Sequence, residues 1–210
     1  MQNFDYIHVL RIKLILFLAF FYSNVFSQDL NLIDDNESKE KIYTIATFKT
    51  NRIVNGHSIE TVAKNEFDFK ISHRFGVVGN GFYDLFGLDY ASMRMGGDFG
   101  ITDNLNVGLG RSTVQKTYDG FIKYKFLKQS KGQKSSPITG VIMSHMGINS
   151  LKWTNPEREN LFTSRLHFTH QLLIAKKFSK NFSAQIAPTL THLNIVKNNN
   201  LANDIISIGI

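Results

Sequence analysis

The chain contains no cysteine, only three prolines and a single tryptophan in 210 residues. Without cysteine there can be no disulfide and no thiolate chemistry, so an exported form must hold together without covalent staples. Long apolar runs are also missing. No internal window approaches the roughly 18 continuous apolar residues that a membrane helix needs, and the mean hydropathy of −0.14 excludes a bundle of such helices. It leaves open a barrel, which needs an apolar residue only at every second position. Acidic residues are in the minority, 17 against 24 Lys and Arg, giving a formal charge of +7 and a pI near 9.5. Such a balance directs attention to polyanions, anionic lipid or anionic solutes. The densest basic stretch, Lys128 to Ser136, lacks interleaved aromatics and reads as a solvated loop, so nucleic acid is not expected as a partner.

What is abundant is phenylalanine (18), tyrosine (7) and glycine (15), a composition that favours strands and turns. The N-terminus carries Arg11 and Lys13, an apolar run from Leu14 to Tyr22, and the sequence Val25-Phe26-Ser27. This is the layout of a cleavable secretory signal peptide, with the cut expected after Ser27. The apolar stretch is too short for a comfortable membrane anchor. No cysteine follows the cut, so lipid attachment is not expected. Residues 28–41 are polar and acidic-leaning and read as a flexible leader, leaving 42–210 as the folded domain.

Beyond the leader, apolar and polar residues alternate. Strands are expected near Tyr43–Lys49, Val62–Phe75, Leu88–Ile101, Leu105–Arg111, Thr117–Leu127, Ile138–Ile148, Leu161–Phe178, Phe182–Leu193 and Asp204–Ile210. In "NEFDFKISHRFG", Phe67, Phe69, Ile71 and Phe75 alternate with charged and polar residues. Leu105, Val107 and Leu109 likewise oppose Asn106, Gly108 and Gly110, and Ile122, Tyr124 and Phe126 oppose Phe121, Lys123 and Lys125. A soluble sandwich also alternates. Full charges in mid-strand, aromatics toward strand ends and the export signal favour an antiparallel, up-and-down transmembrane β-barrel of the outer-membrane kind.

"ITDNLN" (Ile101 to Asn106) and "FSKNFS" (Phe178 to Ser183) share a pattern with Asn at a turn position, and both are expected to be tight hairpins on one side of the sheet. Asn149 to Asn160 forms a longer loop on the other side. "GVVGNG" (Gly76 to Gly81) lacks the order of a dinucleotide loop and reads as a flexible connection. Nine strands is an odd count, whereas single-chain bacterial barrels close with an even number. Gly79 to Asp89 could hide an extra element, and the ending "IISIGI" lacks an aromatic last residue. The chain is therefore expected to be a fragment lacking its last strands.

The segments "ATFKTNRIVNGHSIE", "FKISHRFG", "LFGLDYASMRMGGDFGITDNLNVGLGRS" and "KTYDGFIKYKFLKQ" resemble the Bacteroidota β-barrel family labelled domain of unknown function 5777, most closely over Thr44 to Gln129. His73, Arg74, Phe75, Gly76, Phe86, Gly87, Leu88, Asp89, Arg94, Gly110 and Arg111 match its features in place. The resemblance implies an outer-membrane barrel and brings no catalytic residue.

Candidate chemistry is sparse. His167 and His170 lie three apart, on opposite faces of a strand, and cannot chelate one ion together. The neighbours Ser72-His73 and Ser144-His145 point apart, and "GLGRS" lacks the frame of a nucleophile elbow. No catalytic residue, metal or cofactor is expected. The candidate lumen charges are Glu66, Asp68, Lys70, Arg74, Arg94, Asp98, Arg111, Asp119, Lys123, Lys125 and Arg165. Basic groups outnumber acidic ones, so an open lumen would favour a small anionic solute, whereas a narrow one would be filled by paired charges. The functional expectation is an outer-membrane barrel, either a narrow pore or a structural barrel, in contact with outer-membrane lipid. The alternative is a secreted or periplasmic lipocalin-like barrel, with the phenylalanines turned inward onto an apolar ligand.

Overall fold

The computed structural model describes residues 40–196 and 202–210, apart from residues 55, 133 and 158. The proposed signal peptide and nearly all of the leader lie outside the described residues. Among the described residues there are twelve strands: β1 (Ile42–Tyr43), β2 (Arg52–Ile53), β3 (Gly56–His57), β4 (Phe67–Arg74), β5 (Ser92–Thr102), β6 (Leu105–Ser112), β7 (Tyr118–Leu127), β8 (Ser130–Lys131), β9 (Thr139–Ile148), β10 (Leu166–Lys177), β11 (Ser183–Leu193) and β12 (Asp204–Gly209). Eight of them form one antiparallel sheet in the order β4-β5-β6-β7-β9-β10-β11-β12. The meander is up-and-down, and its two edges, β4 and β12, are not paired with each other. No helix among the described residues is long and apolar enough to cross a membrane.

The count of nine barrel strands is corrected to eight. Tyr43–Lys49 does not cross: Ile42 and Tyr43 make a two-residue pairing with Lys131 and Ser130. The expected strand from Val62 begins only at Phe67, and the one from Leu161 begins at Leu166. Gly79 to Asp89 supplies no strand either, being a run of tight turns interrupted by positive φ at Leu85, Phe86 and Gly87. Nor is the stretch at Gly76 a loose connection. The Gly76 N–H donates to the Gly87 carbonyl at 2.7 Å, and a Cβ on Gly87 would sit 2.6 Å from the Gly76 oxygen. Two motif glycines therefore close this loop on each other.

The two short hairpins, after β5 and after β10, share one end of the sheet, here the hairpin end. The connections after β4, β6, β9 and β11 share the other, the long-loop end. The β7–β9 connection also lies at the hairpin end, and it is pinned rather than solvated. Ser130 and Ser136 are buried and bonded to each other through the Ser130 N–H and the Ser136 carbonyl at 2.9 Å. Gln129 ties the same region to β10, donating to and accepting from the Lys177 backbone at 2.9 Å.

Period-two writing sorts the two faces. On the outer face Phe67, Phe69, Ile71, Leu109, Ile122, Tyr124, Ile142 and Met146 are all exposed. Exposed aromatics gather toward both ends of this face, Phe67, Phe126, Phe178 and Phe182 at the hairpin end and Phe75, Tyr90 and Tyr118 at the other. On the inner face Asp98, Asn106, Lys123, Val141 and Leu173 are each at most 2% exposed. What buries them is residues 44–66, which run along the inner face as an irregular inner segment. Ile59 and the partly buried Phe48 pack on Val141, Leu173, Ala175 and Ala187 from β9, β10 and β11. The apolar core is therefore small, and it lies between the inner segment and the sheet.

Candidate functional site

The inner segment docks because the sheet leaves room for it. Gly100 on β5 faces inward, and a Cβ there would lie 2.0 Å from the Ala63 carbonyl oxygen. Only glycine admits so close an approach of two backbones. The Gly100 carbonyl accepts from Asn65 at 2.7 Å, and its N–H donates to Glu66 at 3.0 Å. Side chains from the sheet then satisfy the irregular backbone. The Asn106 Oδ1 accepts from the Val62 N–H at 3.1 Å. Gln185 on β11 accepts from the Ile59 N–H at 3.0 Å and donates to the His57 carbonyl at 2.9 Å. Lys123 on β7, 1% exposed, donates from Nζ to the Ser58 carbonyl at 3.2 Å and also to the Glu60 carbonyl. Such pairing is what a buried irregular backbone requires, since an unpaired buried carbonyl is costly.

Two ionic clusters flank this docking line. In the first, Asp98, 2% exposed, receives Arg52 at 3.2 Å and Lys70 at 2.9 Å. Lys70 also reaches Asp68 at 2.5 Å, and the Asn51 amide donates to Asp98 at 3.2 Å. Arg52 comes from the inner segment, where its guanidinium donates to the His57 Nδ1 at 2.8 Å and lies 4.9 Å from the Phe121 ring centre. A neutral imidazole is the partner that can accept this bond. In the second cluster Arg94 on β5 grips Asp119 on β7 with Nε and Nη2, a two-pronged contact. The guanidinium reaches across β6 because Gly110 and Gly96 carry no side chains: a Cβ would meet Arg94 at 2.3 Å and 2.8 Å respectively. The motif residues Arg94 and Gly110 thus form one packing unit. Glu60 of the inner segment faces Lys125 at 4.0 Å.

The sequence-derived lumen residues separate into two groups. Asp68, Lys70, Arg94, Asp98, Asp119, Lys123 and Lys125 are drawn together on the inner face. Arg74 stands exposed at the long-loop end of β4, beside a cavity described below. Three assignments need correction. Arg111 follows Leu109 in register and points outward, 5.2 Å from the Tyr118 ring centre. A long side chain at a strand end can keep its charge at the polar boundary while its stem lies on an apolar face, so charge alone did not indicate facing. Arg165 precedes β10 and anchors the β9–β10 loop, donating to the Asn149 and Leu151 carbonyls at 2.7 and 2.5 Å and stacking 3.7 Å from Trp153. Glu66 is exposed just ahead of β4 and joins neither cluster. Sequence reasoning did not place Arg52, His57 and Glu60 among the inward groups, reading His57 as a surface or girdle histidine, because they sit on a segment with no periodicity. The available signal was the Asn55-Gly56 dipeptide, a two-residue turn signature.

A family model described as a membrane bound beta barrel domain, domain of unknown function 5777, matches residues 48–210. The chain belongs to this family. The match begins within the inner segment, at Phe48, so that most of this segment falls inside the family domain with the eight-stranded sheet. No curated protein and no solved structure matches the chain. In a membrane bound barrel the outward apolar band faces lipid and the inward face is polar. The exposed phenylalanines and the buried charges take up those two positions.

Proposed function

We propose that the protein is an outer-membrane β-barrel whose lumen is held closed by its own inner segment, acting as a structural barrel or a narrow gated pore and not as an enzyme. The observation that carries this reading is the use of the inner face. Lys123, Gln185, Asn106 and Gly100 spend their hydrogen-bonding capacity on residues 57–66, so the inner face of these strands is occupied by the chain's own backbone. Export by a signal peptide cut after Ser27 supports placement in the outer membrane, and so does the outward apolar face with aromatics toward both ends. The same facing counts against a lipocalin-like barrel, which would turn Phe67, Phe69 and Ile71 inward. Lipid is the first partner, nucleic acid is not one, and a small anion fits the basic-leaning interior.

The test is fractionation of cells expressing the full chain, followed by gel electrophoresis with and without boiling. Recovery in the outer membrane with heat-dependent mobility is expected. Recovery in the soluble periplasm would overturn the proposal. Planar-bilayer recordings then separate the two roles: a structural barrel stays silent, whereas a gated pore shows brief openings.

A further inference from the structure

Between the tip of the inner segment and the inner face of β4, β5, β6, β7, β9 and β10 toward their long-loop end lies a cavity of about 430 Å³, within the size range of small-molecule sites. Three guanidinium groups line it, from Arg52, Arg74 and Arg94, against a single carboxylate, Asp119, among its described lining residues. That carboxylate is already taken, gripped by Arg94 with both oxygens engaged. Asp98 lies deeper and is shared between Arg52 and Lys70. Arg74 has no ion-pair partner among the described residues. Two of the three guanidiniums are fixed before any ligand arrives: Arg52 by Phe121 and His57, Arg94 by its glycine cradle. A further sign of an incomplete site is His145 on the cavity wall, whose buried Nδ1 has no hydrogen-bond partner among the described residues. Buried polar atoms are rarely left so.

We propose that this vestibule binds a small oxyanion, a carboxylate or phosphate group, clasped between Arg74 at its mouth and the fixed Arg94 and Arg52 at its floor. The planar fork of arginine suits such groups, offering two parallel donors to two oxygens. This inference rests on the closed-barrel reading, because the inner segment forms the floor and presents Arg52. It makes the inner segment part of a binding site as well as a plug.

The experiment uses the full chain purified in detergent and already shown to be heat-modifiable, so that a failure here leaves the barrel reading standing. Inorganic phosphate and succinate are titrated separately by calorimetry at constant ionic strength. Saturable binding of at least one is expected, weakened about tenfold by Arg74→Gln, the size of one charge-assisted hydrogen bond. Arg111→Gln, on the outer face, should leave it unchanged. Absence of saturable binding by both anions, or equal loss in the two variants, overturns the proposal. Because Arg74 is exposed and has no ion-pair partner among the described residues, its replacement is not expected to disturb folding, and retained heat-modifiability verifies this.

Discussion

Replacing Gly100 with alanine is the most direct perturbation of the inner segment, because a single methyl is aimed at a backbone. The new Cβ would lie 2.0 Å from the Ala63 oxygen and 2.7 Å from the Val62 oxygen. Real contacts of this kind do not fall below 3.0 Å, so the segment has to retreat by roughly 1 Å. Three hydrogen bonds feel that movement: Asn65 N–H to Gly100, Gly100 N–H to Glu66, and Val62 N–H to Asn106. At about 0.5–1.5 kcal/mol each, their weakening removes roughly 1.5–4.5 kcal/mol of docking free energy. The gain from a stiffer unfolded chain is only about 0.4–1 kcal/mol, and φ at Gly100 is not in the left-handed region, so sterics decide the sign. Hydrogen exchange followed by mass spectrometry is the assay. Amides of residues 59–66 should exchange faster by about 10- to 2,000-fold, while β9 keeps its protection. Gly120→Ala, whose Cβ would crowd the flexible end of Leu109 on the outer face at 2.9 Å and meet the Gly108 oxygen at an ordinary 3.5 Å, serves as the control. Unchanged protection of residues 59–66 in an intact Gly100→Ala barrel would refute the docking argument.

Three further outcomes are expected. Lys123→Met keeps the stem but strands the Ser58 and Glu60 carbonyls, so limited proteolysis should cut the inner segment sooner; a wild-type digestion pattern would show that Lys123 does not clamp it. Ile122→Arg places a charge mid-strand on the outer face and should cost about 2–4 kcal/mol in lipid vesicles, measured by urea unfolding. A cost near zero would mean that this face meets water. Removing either Asp119 or Arg94 alone should destabilise by roughly 3–5 kcal/mol, and removing both by less than the sum. Additive losses in a double-mutant cycle would deny the pairing.

The outer face was legible because it is written in a period of two, and lipid demands that every second residue obey it. Phe67, Phe69 and Ile71 required no tertiary information. Charged positions were legible only where register agreed with chemistry. Asp98, Asp119 and Lys123 satisfy both, whereas Arg111 continues the phase of Leu109 and faces outward despite its charge. Strand ends were placed poorly near Leu88 and Leu161, where apolar residues continue past the last ladder bond into the loops. The inner segment was illegible for a physical reason. Its backbone partners are side chains on β6, β7 and β11, so no local pattern in residues 44–66 encodes where it goes. Its imprint was visible elsewhere, in Gly100 on the inner face, but glycine spacing alone does not name the visitor.

The hydrogen bond between Ile59 and Gln185 joins residues 126 positions apart. Lys123 reaches back over 65 and 63 positions to the same stretch. Closing loops of that length is entropically unfavourable, and such contacts form late. Residues 57–66 therefore precede the sheet in the chain but have no complete seat until β11 is in place. Docking of the inner segment draws on partners as far along the chain as β11, so protection of its amides reports that strands β5 to β11 are assembled in register.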